Sequence, residues 1–483
     1  MNSPHATGTL RTGLTPAQAV EKLEHHYGAA VATARRVLET GISNGDFSDY
    51  ADVTYPKLTV RVNSWHPVDR TEPFGYVDDA GLYSAVISKP TLLSAYLIEQ
   101  LSRLNKNYDC TIFVSDSGIR IPPEYIDGLA TTATQLTGAR RSPEIPRPSL
   151  DDVDDAIIDG DWDAFHQDEK PLFHFTPQRF DIACARIEHY TGIAVDTVQK
   201  FILFTNYDMH TREFLRFGLA ELRNPHSRYR ALVLADGTEI TAETIDMVDV
   251  DQLVGAVKYQ MPRFDLVAAD NYGITMINIG VGPSNAKTIT DCLAVLRPEA
   301  WVMIGHCAGL DGRMRMGDLI LGNAYQRSDH LLDGHIPINL PIPAVPEVQR
   351  ALEASVTEIY GSDLSLMRTG TVISTDDRNW EWHTPKALWE WLRGSTAVGC
   401  DMESATLAGN GYRYRIPYGT LLSVSDLPLH AVPKLPAAAQ TFYSNSKEAH
   451  VMCAVRAVEH LAETPERLRT RKLRRTVAEV PFR

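Results

Sequence analysis

The 483-residue sequence predicts an α/β protein, a three-layer strand–helix domain preceded by a smaller α+β domain. Three observations carry that prediction. The length exceeds what one ordinary domain holds. From about residue 195 onward, short apolar runs alternate with helical stretches, the rhythm of buried strands covered by helices. Between the halves, residues 143–177 mix Pro143, Pro146, Pro148, Pro171 and Pro177 with Asp151, Asp152, Asp154, Asp155, Asp159, Asp161 and Asp163. Prolines interleaved with like charges predict a solvated connector. An acidic cation site is the other reading, but the glycine-spaced ligands such a loop needs are missing.

Residues 1–175 make up the expected N-terminal α+β domain. Thr15-Pro16-Ala17-Gln18 predicts a helix start: threonine caps, proline suits the first helical position, and glutamine sits three residues after the cap. Leu58–Val62 and Cys110–Val114 read as strands, and Pro90–Leu104 as an amphipathic helix. Asp69, Arg70, Arg120, Arg140 and Arg141 are either scattered surface charges or the lining of an anion site. Residues 23–33 are echoed by residues 187–197, a chance likeness or a duplication. The domain carries no catalytic constellation. Regulation is the expected role, with a fixed cap or oligomer buttress as the alternative.

Residues 176–483 form the expected catalytic domain. Its strands are Phe201–Phe204, Ile274–Ile279, Trp301–Ile304, Leu319–Leu321, Thr371–Ile373 and Thr420–Leu422. Helices are expected at about 285–297, 346–360, 385–393, 403–411 and 446–462.

Composition narrows the function classes. A net charge of −14 argues against a general nucleic-acid binder. Six cysteines without CxxC spacing suggest neither a disulfide framework nor a zinc site. With no apolar leader and no run of ~18 apolar residues, the expected location is the cytoplasm, away from membranes. The basic segment Arg467–Arg475 is either a solvated helix end or a polyanion patch.

Two acids carry the chemistry. Glu403 lies in Cys400-Asp401-Met402-Glu403-Ser404, and Asp426 lies 23 positions on, in Ser423-Val424-Ser425-Asp426. The intervening pattern predicts helix, breaker and buried strand, with Asp426 at the strand's carboxyl end, where α/β sheets gather ligands. Gly280-Val281-Gly282-Pro283 comes after a strand and opens a helix, as a dinucleotide fingerprint would. That reading needs the first strand of a βαβ unit, whereas downstream stand Leu296-Arg297-Pro298-Glu299-Ala300 and then a second glycine cluster, Gly305-His306-Cys307-Ala308-Gly309.

The ordered set resembles the purine nucleoside phosphorylase and nucleosidase superfamily over roughly residues 195–460. Its pieces are the two glycine clusters, Gly317-Asp318 before a strand, Gly370–Asp376, Met402-Glu403 and Ser425-Asp426. The resemblance implies a nucleoside-phosphorylase-like fold. It implies that Glu403, beside Met402, holds the ribose hydroxyls, and that Asp426, oriented by Ser425, protonates the departing purine. Burial at a strand end would favour the protonated acid. Ile373 matches a base-flanking position or is plain strand core. Gly305 and His306 fall near the ribose site; His306 would bond a phosphate or the attacking water, or merely cap a helix. Arg378 either neutralises a 5′-phosphate or is an ordinary exposed arginine. Asn206 lies in the first strand and turn, Phe204–Tyr207.

Where hexameric phosphorylases of the superfamily carry an arginine and a serine around the glycine loop, this chain has Met303 and His306. Loss of that arginine removes a bidentate phosphate partner and points to water as nucleophile. The long N-terminal extension is similar to the bacterial branch that hydrolyses AMP to adenine and ribose 5-phosphate. That similarity implies ATP, with Mg, and phosphate as allosteric effectors, a homohexamer, no cofactor for the chemistry and no metal ligand. The alternatives are a nucleoside phosphorylase, a nucleosidase for unphosphorylated substrates, or a non-catalytic nucleotide sensor.

Overall fold

The computed structural model describes residues 13–68, 73–129, 142–245, 259–430, 436–469 and 479–483, without the side chains of 436–446 and 469. The chain forms two compact units, Met1–Ile182 with Arg474–Arg483, and Ala183–Leu473. The division falls inside the helix Pro177–Thr191 rather than in the acidic stretch before it. That stretch belongs to the first unit, where Arg179 Nε donates to Asp155 Oδ1 at 2.9 Å. Residues 479–483 also belong there, whereas the sequence pattern assigned them to the second domain.

In the first unit the helix Pro16–Asn44 begins with the expected reciprocal cap. Gln18 N–H donates to Thr15 Oγ1 at 3.3 Å, and Thr15 N–H donates to Gln18 Oε1 at 3.0 Å. Strands β1 (Thr54–Ser64), β2 (Gly81–Val86), β3 (Asp109–Arg120) and β4 (Glu169–Pro171) form a sheet in the order β3-β1-β2-β4. β1 is antiparallel to both of its neighbours. The sequence echo is not a structural repeat. Residues 23–33 stay within one helix, whereas the later copy leaves its helix after Thr191 at Gly192, φ +86°. A side chain at Gly192 would meet the Tyr259 ring at 2.3 Å.

Burial explains the returning C-terminus. Phe482 is fully buried and edge-on to Tyr96, and Arg483 N–H donates to Gln100 Oε1 at 2.8 Å. Gly75 N–H donates to Pro481 O at 2.9 Å. Arg120 is exposed and donates to Glu144 O at 2.6 Å. Asp69, Arg70, Arg140, Arg141 and residues 470–478, which hold most of the basic tail, lie outside the described residues.

The second unit is the layered α/β domain. Its strands are β5 (Phe201–Thr205), β6 (Tyr229–Val233), β7 (Glu239–Thr241), β8 (Arg263–Ala268), β9 (Ile274–Asn278), β10 (Ala300–Gly309), β11 (Leu319–Ser328), β12 (Ile342–Pro343), β13 (Met367–Thr375), β14 (Ala397–Asp401) and β15 (Tyr418–Asp426). The main path runs β12-β11-β13-β14-β10-β5-β9-β8-β6-β7, and β15 pairs with both β10 and β11. That double pairing closes β10, β15, β11, β13 and β14 into a ring. β5, β9, β10 and β15 are parallel neighbours, so their carboxyl ends share one edge. β14 is parallel to β13 and delivers its own carboxyl end, Cys400-Asp401, opposite Ile373-Ser374. Among the described residues no helix is long and apolar enough to cross a membrane.

The C-terminal anchor is testable. Phe482→Ala should lower unfolding stability by about 3–5 kcal/mol, the usual cost of emptying a buried phenylalanine site. Urea unfolding followed by circular dichroism measures it. A loss below about 1 kcal/mol would contradict a core role for the tail.

Candidate functional site

The shared carboxyl edge opens into a cleft of about 250 Å³. Asn206 and Tyr207 reach it from the end of β5, Val281 from the turn after β9, and His306 from β10. Asp401, Met402 and Glu403 reach it from the end of β14, Ser425 and Asp426 from β15, and Arg378 and Trp380 from the loop after β13. The two acids singled out by their spacing therefore line one cleft.

Glu403 is 1% exposed, and its carboxyl is held on both oxygens. Gly282 N–H donates to Oε1 at 2.6 Å and Asn206 Nδ2 to Oε2 at 3.3 Å. Gly282 can present that N–H because its φ is +123°, a backbone shape side-chain-bearing residues rarely adopt. Gly305 serves the same grip from below. A methyl at position 305 would sit 3.2 Å from Asn206 Oδ1 and 3.1 Å from Met303 Cε. Gly305 itself does not line the cleft, and Met303 is buried strand core.

Asp426 is aimed by a bulge. The pairing of β10 with β15 steps from Cys307↔Val424 to Ala308↔Asp426, leaving Ser425 as the extra residue. Bulges of this kind re-aim side chains next to active sites. Ser425 Oγ lies 2.5 Å from Asp426 Oδ1 and 3.2 Å from Cys307 O, so its single proton is shared between two acceptors.

Asp401 is the residue that the sequence did not single out. It is 5% exposed and lines the cleft two positions before Glu403. Ser374 Oγ donates to one oxygen at 2.5 Å, and Ser404 N–H donates to the other at 3.0 Å. Ser404 opens the helix Ser404–Tyr414, so Asp401 sits at that helix's positive end. Burial raises Glu403 above the ordinary carboxyl range, and the neighbouring Asp401 charge raises it further. Burial likewise raises Asp401, opposed by its serine hydrogen bonds.

The remaining positions separate. Arg378 is exposed at the cleft's rim, and Met402 is half-buried in its wall. Ile373 is fully buried in a cluster with Ala308, Trp380 and Cys400 and does not line the cleft. His306 lines the cleft with Tyr207 edge-on to its ring at 4.5 Å. Behind it stand two further buried histidines, His210 and His450, which burial holds neutral; His450 is lowered to about 4.

Comparison with known proteins finds relatives over nearly the whole chain. Residues 18–169 match the family described as bacterial AMP nucleoside phosphorylase N-terminus, and residues 249–459 match the phosphorylase superfamily. AMP nucleosidase of Escherichia coli strain K12 is 44% identical over 485 aligned residues, covering 98% of this chain and 99% of that protein. The protein of the same name from E. coli O157:H7 matches equally well. Among solved structures, AMP nucleosidase from Bacteroides thetaiotaomicron aligns at TM-score 0.43 and 27% identity, covering 59% of this chain and 98% of that one. Purine nucleoside phosphorylase from Toxoplasma gondii aligns at TM-score 0.40 and 18% identity, covering 56% and 94%.

The raised acidity constant of Glu403 has a sign that can be measured. The folded state holds this proton more tightly than the unfolded chain, so ionising Glu403 costs stability as pH climbs above the ordinary 4.5. Glu403→Gln removes that cost while keeping an acceptor for Gly282. The variant should melt above wild type near pH ~8 and converge with it near pH ~4. A variant no more stable than wild type at the higher pH would contradict a carboxyl held against its own ionisation.

Proposed function

Because this chain belongs to the AMP nucleosidase family of the phosphorylase superfamily, we propose that it hydrolyses the N-glycosidic bond of AMP, giving adenine and ribose 5-phosphate. One observation carries the reading. Glu403 and Asp426, from separate strand ends, line the same cleft, each held by groups that fix its direction.

Breaking the bond leaves positive charge on the ribose and negative charge on the purine. Asp426 gives its proton to N7, so adenine departs neutral. Glu403 releases its proton to solvent when the nucleotide binds and then, as carboxylate, accepts hydrogen bonds from the 2′- and 3′-hydroxyls and stabilises the cationic sugar. Asn206 and Gly282 hold that carboxyl in place, and Asp401 adds negative charge beneath it. Water adds hydroxide to C1′, and its remaining proton restores Asp426. In this reading Arg378, exposed among the lining residues, takes the 5′-phosphate, and His306, Met402 and Ser425 complete the wall. The absence of an arginine at Met303 supports water over phosphate as nucleophile.

The same proposal includes ATP, with Mg, and phosphate as effectors acting through the N-terminal unit, a homohexameric assembly and a cytoplasmic location. What supports the regulatory part is that the first unit is a separate compact body contributing, among the described residues, none to the cleft lining. Titrating MgATP into the full chain should raise AMP hydrolysis at subsaturating substrate. A rate indifferent to ATP would remove that part alone.

Asp426→Asn should lower turnover of AMP by ~10²–10⁴-fold, the usual worth of general acid catalysis, with little change in nucleotide binding. Release of adenine and ribose 5-phosphate in phosphate-free buffer measures it. Ribose 1-phosphate as product, or adenosine preferred to AMP, would overturn the substrate and nucleophile. Glu403→Gln should slow the ribonucleotide more than the 2′-deoxy analogue, and equal losses would contradict the hydroxyl contact.

A further inference from the structure

Three histidines, at 210, 306 and 450, meet behind the cleft wall from three separate elements. His210 lies in the first turn of the helix Asp208–Arg223, His306 on β10, and His450 on the helix Pro436–Glu463. They are 0%, 6% and 1% exposed, and one ring nitrogen from each lies within 4.8 Å of the others. The rings of His210 and His306 stack at 5.1 Å, and His450 stands edge-on to His210 at 5.1 Å.

Their hydrogen bonds say what the cluster can receive. His450 Nε2 lies 2.9 Å from the carbonyl oxygen of Leu421. A carbonyl only accepts, so Nε2 carries the proton and Nδ1 presents a lone pair. That Nδ1 is buried with no hydrogen-bond partner among the described residues. His210 is tethered by a hydroxyl, which can donate or accept, so either tautomer fits and the one protonated on Nδ1 leaves a lone pair on Nε2. Its Nδ1 lies 2.8 Å from Thr205 Oγ1, while its Nε2 is buried and likewise without a hydrogen-bond partner among the described residues. A backbone carbonyl or hydroxyl on the far nitrogen is how proteins orient metal-binding imidazoles. An anion would need donors, and His450 offers a lone pair.

We propose that His210 Nε2, His450 Nδ1 and one nitrogen of His306 bind a late first-row divalent metal ion, zinc in particular. Three neutral imidazoles suit such an ion, and a water would take the fourth tetrahedral position. Metal–nitrogen bonds of ~2.0–2.1 Å in tetrahedral geometry put ligand nitrogens about 3.4 Å apart, so nitrogens spread over up to 4.8 Å must close by as much as about 1.4 Å, which side-chain rotations supply. The ion fixes His306, the one member of the cluster that lines the cleft. The inference stands independently of the substrate assignment, because its readout is metal uptake.

The test uses tag-free, full-length protein stripped with chelator and titrated with Co²⁺, then Zn²⁺. Wild type should take up one Co²⁺ per chain with the intense visible bands of a four-coordinate site, and Zn²⁺ should displace it. His210→Gln and His450→Asn should each weaken uptake at least ~10-fold. X-ray absorption on the zinc-loaded wild type should show three imidazoles, which keeps the proposal testable if a variant fails to fold. No stoichiometric uptake, fewer than three imidazoles, or unchanged uptake by folded variants would overturn it and leave a bridging water as the occupant.

Discussion

The cleft depends on one constraint: a glutamate carboxyl is buried beside a second buried acid and must be held without a counter-cation. No ion pair to Glu403 exists among the described residues. The groups that hold it are neutral donors, the Gly282 N–H and the Asn206 amide. Neutral donors orient a carboxyl without cancelling its charge, so the negative potential remains available to a substrate that becomes positive. Asp401 tightens the constraint. It is anchored by Ser374 and by the amino end of the Ser404–Tyr414 helix, and its charge pushes the neighbouring glutamate towards holding its proton. The strained electrostatics is therefore concentrated where the reaction can relieve it.

The fold supplies the positions. Closing β10, β15, β11, β13 and β14 into a ring gathers strand ends that an open sheet would leave spread along an edge. The β15 bulge then turns Asp426 to a different angle from its neighbours. Small residues make the close approaches possible. A side chain at Gly399 in β14 would meet Ile320 Cδ1 at 2.5 Å, so the strand carrying Asp401 packs closely only as glycine at that point.

Much of this was legible in the sequence because it is written locally. The Thr15–Gln18 cap, the apolar runs of β5, β9, β10, β11, β13 and β15, and the Glu403–Asp426 pair all declare themselves within a short window. What was missed is non-local. β8 escaped notice because Arg263 and Asp265 break its apolar pattern, yet both are fully buried as a pair 3.0 Å apart, with Thr197 and Thr275 hydroxyls completing the aspartate. Asp401 was hidden by its neighbour Glu403, and β14, Ala-Val-Gly-Cys-Asp, lacks the continuous apolar run that announces β5 and β9 at the same length. The histidine cluster joins positions 96 and 144 residues apart, a spacing no metal motif covers. The C-terminal return depends on a few apolar residues at 480–482 after a basic segment that reads as solvent-exposed.

The most direct test of the account is the structure of the full chain bound to a non-hydrolysable AMP analogue. The account places both ribose hydroxyls within hydrogen-bond distance of Glu403, purine N7 within hydrogen-bond distance of Asp426, and the 5′-phosphate towards Arg378. A nucleotide bound elsewhere, or one whose sugar faces Asp426 and whose base faces Glu403, would contradict it.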